Sequence, residues 1–175
     1  MPELRYAVGA GDGIVVADGS AFVVMRGLVD VDHVDRILTA LREGRPLAEL
    51  LDVVTRGRLG DLPDFVVAVP EPVSGGLRII QRPGLDVTTT DSDGSVHVHS
   101  AAGSAVWSEH TTPPGSSIVI DLAGGGFDSG SFPLGSGAAA TSFVRWSPTN
   151  VASSQPSSPS SRQEAIASDL SLIHI

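Results

Sequence analysis

Leu85-Asp86-Val87-Thr88-Thr89-Thr90-Asp91-Ser92-Asp93-Gly94-Ser95-Val96-His97-Val98-His99 reads as two strands folded on each other. Leu85, Val87 and Thr89 alternate with Asp86, Thr88 and Thr90, the period of two that gives a strand one buried and one wetted face. Asp91-Ser92-Asp93-Gly94 is turn chemistry, and Ser95–His99 returns. Working outward, Phe65–Val69 is an unbroken apolar run, as in a strand covered on both faces. Leu77–Gln81 follows it, and Ala105–Glu109, Ser116–Leu122 and Thr141–Trp146 read as further strands. Nearer the start, Arg5–Val8, Gly13–Ala17 and Ala21–Met25 are separated by Gly9-Ala10-Gly11-Asp12 and Asp18-Gly19-Ser20, both turn-forming.

Helical periodicity is confined to residues 31–57. Val34, Ile37, Leu38 and Leu41 share one helix face, with Asp30 or Asp32 to cap the start and Gly44 to end it. Pro46 suits a first helical position, and Leu47, Leu50, Leu51 and Val54 repeat the spacing before Gly57. Two helices this short need a surface to pack on. The expected fold is α+β: a mainly antiparallel sheet, able to curl toward a partly closed barrel, with a two-helix insertion near residues 31–57.

The chain has 175 residues, 20 acidic and 11 basic, for a formal charge of −9. Every basic residue is arginine, and there is no cysteine. An acidic surface repels phosphate backbones, so neither nucleic acid nor an anionic membrane is an expected partner. Without cysteine there is no disulfide, thiol nucleophile or thiolate metal site. No apolar run reaches the roughly 20 residues of a membrane span, and the first residues lack a secretion signal, so a cytoplasmic location is expected.

Composition divides the chain into residues 1–146, a globular domain, and 147–169, a linker. Ten of the 17 residues from Ser147 to Gln163 are serine or proline, too little apolar surface to offset the entropy of ordering. Residues 170–175, Leu-Ser-Leu-Ile-His-Ile, resemble a translated sequencing adaptor and are set apart as a non-native tail. The expectation is a chain cut within its linker.

His97, His99 and His110, with Glu109, form the one cluster suited to a metal, because His-x-His on a strand puts both rings on one face. The pair resembles the opening of a cupin metal motif, but Ala102, Gly103 and Ser104 stand where a cupin places its glutamate. With Val96 and Val98 turned to the core, the histidines would instead line a solvated polar face. Asp91-Ser92-Asp93-Gly94 lacks the later ligands of a calcium loop. Gly9-Ala10-Gly11-Asp12-Gly13 has no helix after it to cradle a phosphate, and Gly124-Gly125-Gly126 reads as a mobile loop. The Asp-Gly pairs at 12–13 and 18–19 distantly resemble metal-dependent Ser/Thr phosphatases. Trp107 and Trp146 read as core anchors. Ser104, Ser108 and Ser116 lack a nucleophile-elbow context. No catalytic, cofactor-binding or metal-binding residue is therefore assigned, and no cofactor is expected.

The phrases Gly76–Arg82 (GLRIIQR), Val98–Glu109 (VHSAAGSAVWSE), Phe143-Val144-Arg145-Trp146 and Leu62-Pro63-Asp64-Phe65 resemble the N-terminal domain of actinobacterial proteins in which a Pro/Ser/Ala linker leads to a forkhead-associated domain. The resemblance covers most of residues 1–146. It implies that a downstream module binds phosphothreonine peptides in Ser/Thr-kinase signalling, and that residues 1–146 form a non-catalytic regulatory or interaction head whose partners are proteins. The alternatives are a metal-dependent enzyme, cupin-like or metallophosphatase-like, and a stand-alone binding module.

Overall fold

The computed structural model describes residues 2–9, 12–27, 29–57, 62–124 and 130–148. The linker from residue 149, the adaptor-like tail, Ala10-Gly11 and Gly125-Gly126 lie outside the described residues.

In chain order the elements are β1 (Glu3–Ala7), β2 (Gly13–Asp18), β3 (Ala21–Arg26), α1 (Val31–Arg42), α2 (Leu47–Thr55), β4 (Asp64–Pro70), β5 (Leu77–Gln81), β6 (Val87–Thr90), β7 (Val96–His99), β8 (Ser108–Thr111), β9 (Ser117–Asp121), β10 (Ser131–Pro133), β11 (Ser136–Thr141) and β12 (Phe143–Ser147). The strands form two six-stranded sheets, both antiparallel throughout. One runs β10-β1-β12-β9-β6-β7 and the other β11-β2-β3-β4-β5-β8. Each keeps two edge strands, so the expected curl toward a barrel is corrected to a pair of stacked open sheets. The α+β class stands.

Three layers follow from where the apolar side chains point. Between the sheets, Val15, Ala17, Phe22, Val24, Val66 and Ile79 meet Leu4, Val87, Ile118, Ile120, Val144 and Trp146. On the other face of the second sheet, Val16, Val23, Met25, Phe65, Val67 and Ile80 meet Ile37, Ala40, Leu41, Leu50 and Val54 of the helices. The second sheet is thus covered on both sides, which is why β2, β3 and β4 are apolar at consecutive positions. The sheet containing β6 has one covered face and alternates instead: Val87 and Thr89 are buried, Thr88 and Thr90 half-buried.

The helices start and stop as their flanking residues dictate. The Asp30 carboxylate accepts from the His33 backbone N–H at 2.7 Å, which makes Asp30 the cap of α1. Gly44, at φ +60°, ends it. Pro46 sits one position earlier than expected, as the cap residue of α2, its carbonyl accepting from Glu49 and Leu50.

Three expectations shift. β8 begins at Ser108, three residues after the start read from the sequence. Much of the glycine–serine connection after β9 is strand: β11 pairs along the whole of β2 despite its Ser-Gly-Ala-Ala-Ala-Thr composition. Neighbours and not intrinsic preference decide such an edge strand. Trp146 is 7% exposed and anchors the inter-sheet core, but Trp107 is only half-buried, against the helix-side face of the second sheet.

Candidate functional site

β7 and β8 are edge strands of opposite sheets, and the chain steps directly from one to the other. In β7, His97 and His99 lie opposite Thr89 and Val87, both buried, so the two imidazoles are on the inward side of their sheet. Val96 and Val98 point outward and are 62% and 66% exposed. This reverses the orientation expected from hydrophobicity alone. Val87 and Thr89 of β6 fix which face is inward, and the register of the hairpin leaves the valines no choice. His110 of β8 lies opposite Ile79, a residue of the inter-sheet core, and so faces the same gap from the other sheet.

The structure brings two of the three histidines together. His99 and His110 stack with ring centroids 3.9 Å apart and planes 14° apart. His97 stands 6.4 Å from His99 by the same measure and turns to Asp91, with Nε2 3.3 Å from Oδ2. His99 Nε2 meets the Thr89 hydroxyl at 3.0 Å. Glu109 is on the opposite face of β8, paired with Arg78. Burial pushes the His110 pKa down to about 4, with the neighbouring His99 adding to the effect. Burial also lowers that of His99, as does His97, while Asp91 opposes the shift.

Gln81 completes this edge, and no motif in the sequence announces it. Gln81, fully buried, donates from Nε2 to the His99 carbonyl at 2.9 Å and approaches the Leu85 carbonyl at 3.5 Å. Its Oε1 and His110 Nε2 are buried with no hydrogen-bond partner among the described residues. Ser116 donates to Asp91 Oδ1 at 2.8 Å. The one available signal was Gln81 itself, a polar residue ending the apolar run Leu77–Gln81.

This geometry limits the chemistry. Metal binding needs ring nitrogen lone pairs converging on one point at about 2.0–2.1 Å, whereas stacked rings present their faces to each other. No group of three or more histidine or carboxylate side chains suited to holding a metal occurs among the described residues. Ser116 directs its hydrogen at a carboxylate and at the Pro113 carbonyl, not at an imidazole, so it has no base to activate it. Asp12 and Asp18 flank opposite ends of β2, roughly 20 Å apart at strand rise, too far to share a metal. The expected hairpin turn at Asp91–Gly94 is present. Gly94 N–H donates to the Asp91 carbonyl, Asp91 N–H to the Ser95 carbonyl, and Gly94 takes φ +87°.

A concavity of about 700 Å³ lies where β3 meets the helices, lined by Arg26, Asp30, His33, Thr55, Arg56 and Leu62 among others. Its polar groups are engaged within the protein. Arg26 donates to the Gly84 and Leu122 carbonyls, Arg56 pairs with Asp30, and His33 Nε2 meets the Val53 carbonyl.

No protein-family model matches the chain, and no curated protein or solved structure is similar enough to place it in a family. No helix among the described residues is long and apolar enough to cross a membrane.

Proposed function

We propose that the folded unit is a non-catalytic interaction domain of a signalling protein. One observation carries the reading: the side chains most suited to chemistry are engaged with one another along the β7–β8 side of the molecule, mostly within one sheet and in one contact across to the other. Ser116 is tied to Asp91, Asp91 faces His97, His99 bonds Thr89, and His110 is stacked on His99. None offers a free nucleophile next to a base. The Ser/Pro-rich stretch after β12 suits a tether, and the resemblance to heads of forkhead-associated proteins implies a phosphothreonine-binding module beyond it. A cytoplasmic setting and protein partners go with this reading.

Elemental analysis after incubation with zinc, manganese and nickel, together with an assay of p-nitrophenyl phosphate hydrolysis, tests it. The expected results are substoichiometric metal and no turnover. One equivalent of metal per chain, lost in His99→Ala, would favour the metal-enzyme reading, for which the meeting of His99 and His110 is the supporting observation. The same domain should show no affinity for phosphothreonine peptides by calorimetry.

A further inference from the structure

Exposed sheet edges are normally blunted by shortness, proline or charge, because their free N–H and C=O groups invite another strand. Three of the four edges here are protected. β10 has three residues and ends in Pro133, β8 carries the Glu109–Arg78 ion pair, and Ser136 at the start of β11 is within reach of Arg42 from α1. Among the described residues β7 has no such guard: its sequence is Val-His-Val-His, with both valines exposed.

The backbone of β7 can be oriented from its turn. The Asp91 N–H bond to Ser95 makes Thr90 and Val96 a wide pair, so Thr89–His97 and Val87–His99 exchange the ladder bonds. The N–H and C=O groups of Val96 and Val98 then point away from β6. Among the described residues no strand pairs with that side, so the same two residues offer an apolar surface and a hydrogen-bonding edge.

Charge decides the occupant. From Pro83 to Val144 the chain carries six carboxylates and no lysine or arginine. Asp86, exposed, lies beyond one end of β7, next to Ser100, and Asp93, exposed, lies in the turn at the other. Crossing the outer face from Val98, the row passes Thr88 and Val119 before reaching Arg145, three strands away or about 14 Å. A second copy pairing antiparallel with β7 would bring Asp93 of one chain toward Asp86 of the other, at −9 per chain. A cationic segment meets no such repulsion.

We infer that β7 is a docking edge for an extended partner peptide in which two alternating apolar residues are bracketed by basic ones, added as a further strand beside Val96–His99. The inference rests on the interaction-domain reading and names its surface and partner class. The apolar pair would lie on the Val96–Val98 side, and the bracketing cations would reach Asp86 and Asp93.

The test uses the full chain and a capped hexapeptide, RVTVTR, followed by calorimetry and amide shifts. Binding is expected for RVTVTR and not for the acidic counterpart EVTVTE, with affinity falling as salt rises. Val98→Pro, which removes an outward N–H and should leave the hairpin intact, weakens binding at least tenfold. Should that variant misfold, N-methylation of alternate peptide amides removes the same ladder from the ligand side and must produce the same loss. Binding indifferent to both changes, or no binding up to about 1 mM peptide, overturns the inference. So does a dimer in sedimentation that Val98→Pro dissolves, since the edge would then belong to a second copy. Each of these failures leaves the interaction-domain reading in place, because that reading falls to bound metal or turnover.

Discussion

His99 and His110 lie face to face across the gap between two sheets, 3.9 Å from centroid to centroid, although one belongs to β7 and the other to β8. Neutral rings can stack this closely, whereas two imidazolium ions could not without strong repulsion. The contact therefore opposes a charge on both rings at once.

Acid should loosen it. Burial lowers the His110 pKa from 6.5 to about 4, so the unfolded chain binds a proton more readily than the folded one throughout that interval. Its contribution to stability is complete above about pH 6.5 and is lost as pH falls toward 4. The groups facing it are His99, then His97 and Asp91. Urea unfolding at pH 7 and pH 5 should differ by roughly 1 kcal/mol from this residue, after allowing for solvent screening at a half-open edge. His110→Phe should remove most of that difference.

Gly76 precedes β5 where the strand meets the Thr112 segment. A Cβ there would stand 1.9 Å from the Thr112 carbonyl oxygen, and that segment is held by Leu77 N–H to Thr112 Oγ1 at 2.9 Å. Gly76→Ala is expected to cost about 3 kcal/mol in chemical denaturation. Gly130→Ala, with nothing within 4 Å among the described residues, should change stability little.

Ile37 projects from α1 into the helix-side core and is fully buried. Truncation to alanine should cost about 3 kcal/mol, since the packed face of the second sheet cannot collapse into the space. Circular dichroism during urea unfolding would show a lower midpoint with an unchanged native spectrum.

Thr141 stands where the chain leaves β11 and enters β12, passing from one sheet to the other. Its hydroxyl lies 2.7 Å from the Phe143 carbonyl and 3.1 Å from that of Ala7, and accepts the Phe143 N–H at 3.2 Å. Thr141→Val keeps the shape and removes these bonds, so a loss of about 1–2 kcal/mol is expected. Thr141→Ser should retain most of the stability.

The elements legible beforehand are those whose signal is local. The β6–β7 hairpin carries both its alternation and its Asp-Gly turn within 15 residues, and α1 has its Asp30 cap and Gly44 stop. β10 and β11 lack such signals, because small residues become strand here only through partners more than a hundred residues away, on β1 and β2. The sequence shows which histidines can cluster but not the direction in which they point. Hydrophobicity argues for Val96 and Val98 inward, while Val87 and Thr89 on the neighbouring strand had already claimed that face. Gln81 acquires its role only through the stacking of the sheets, where it reaches the His99 carbonyl, and no short-range pattern records that.

β1 lies between β10 and β12, with Glu3 opposite Ser147 and Arg5 opposite Pro133. During synthesis, then, the β2–β5 meander and its helices can assemble as they emerge from the ribosome. The opening strand must wait for nearly the whole domain to be translated. Any stop or stall before Phe143 would strand a half-built sandwich with one apolar sheet face uncovered, a natural substrate for chaperones and proteases.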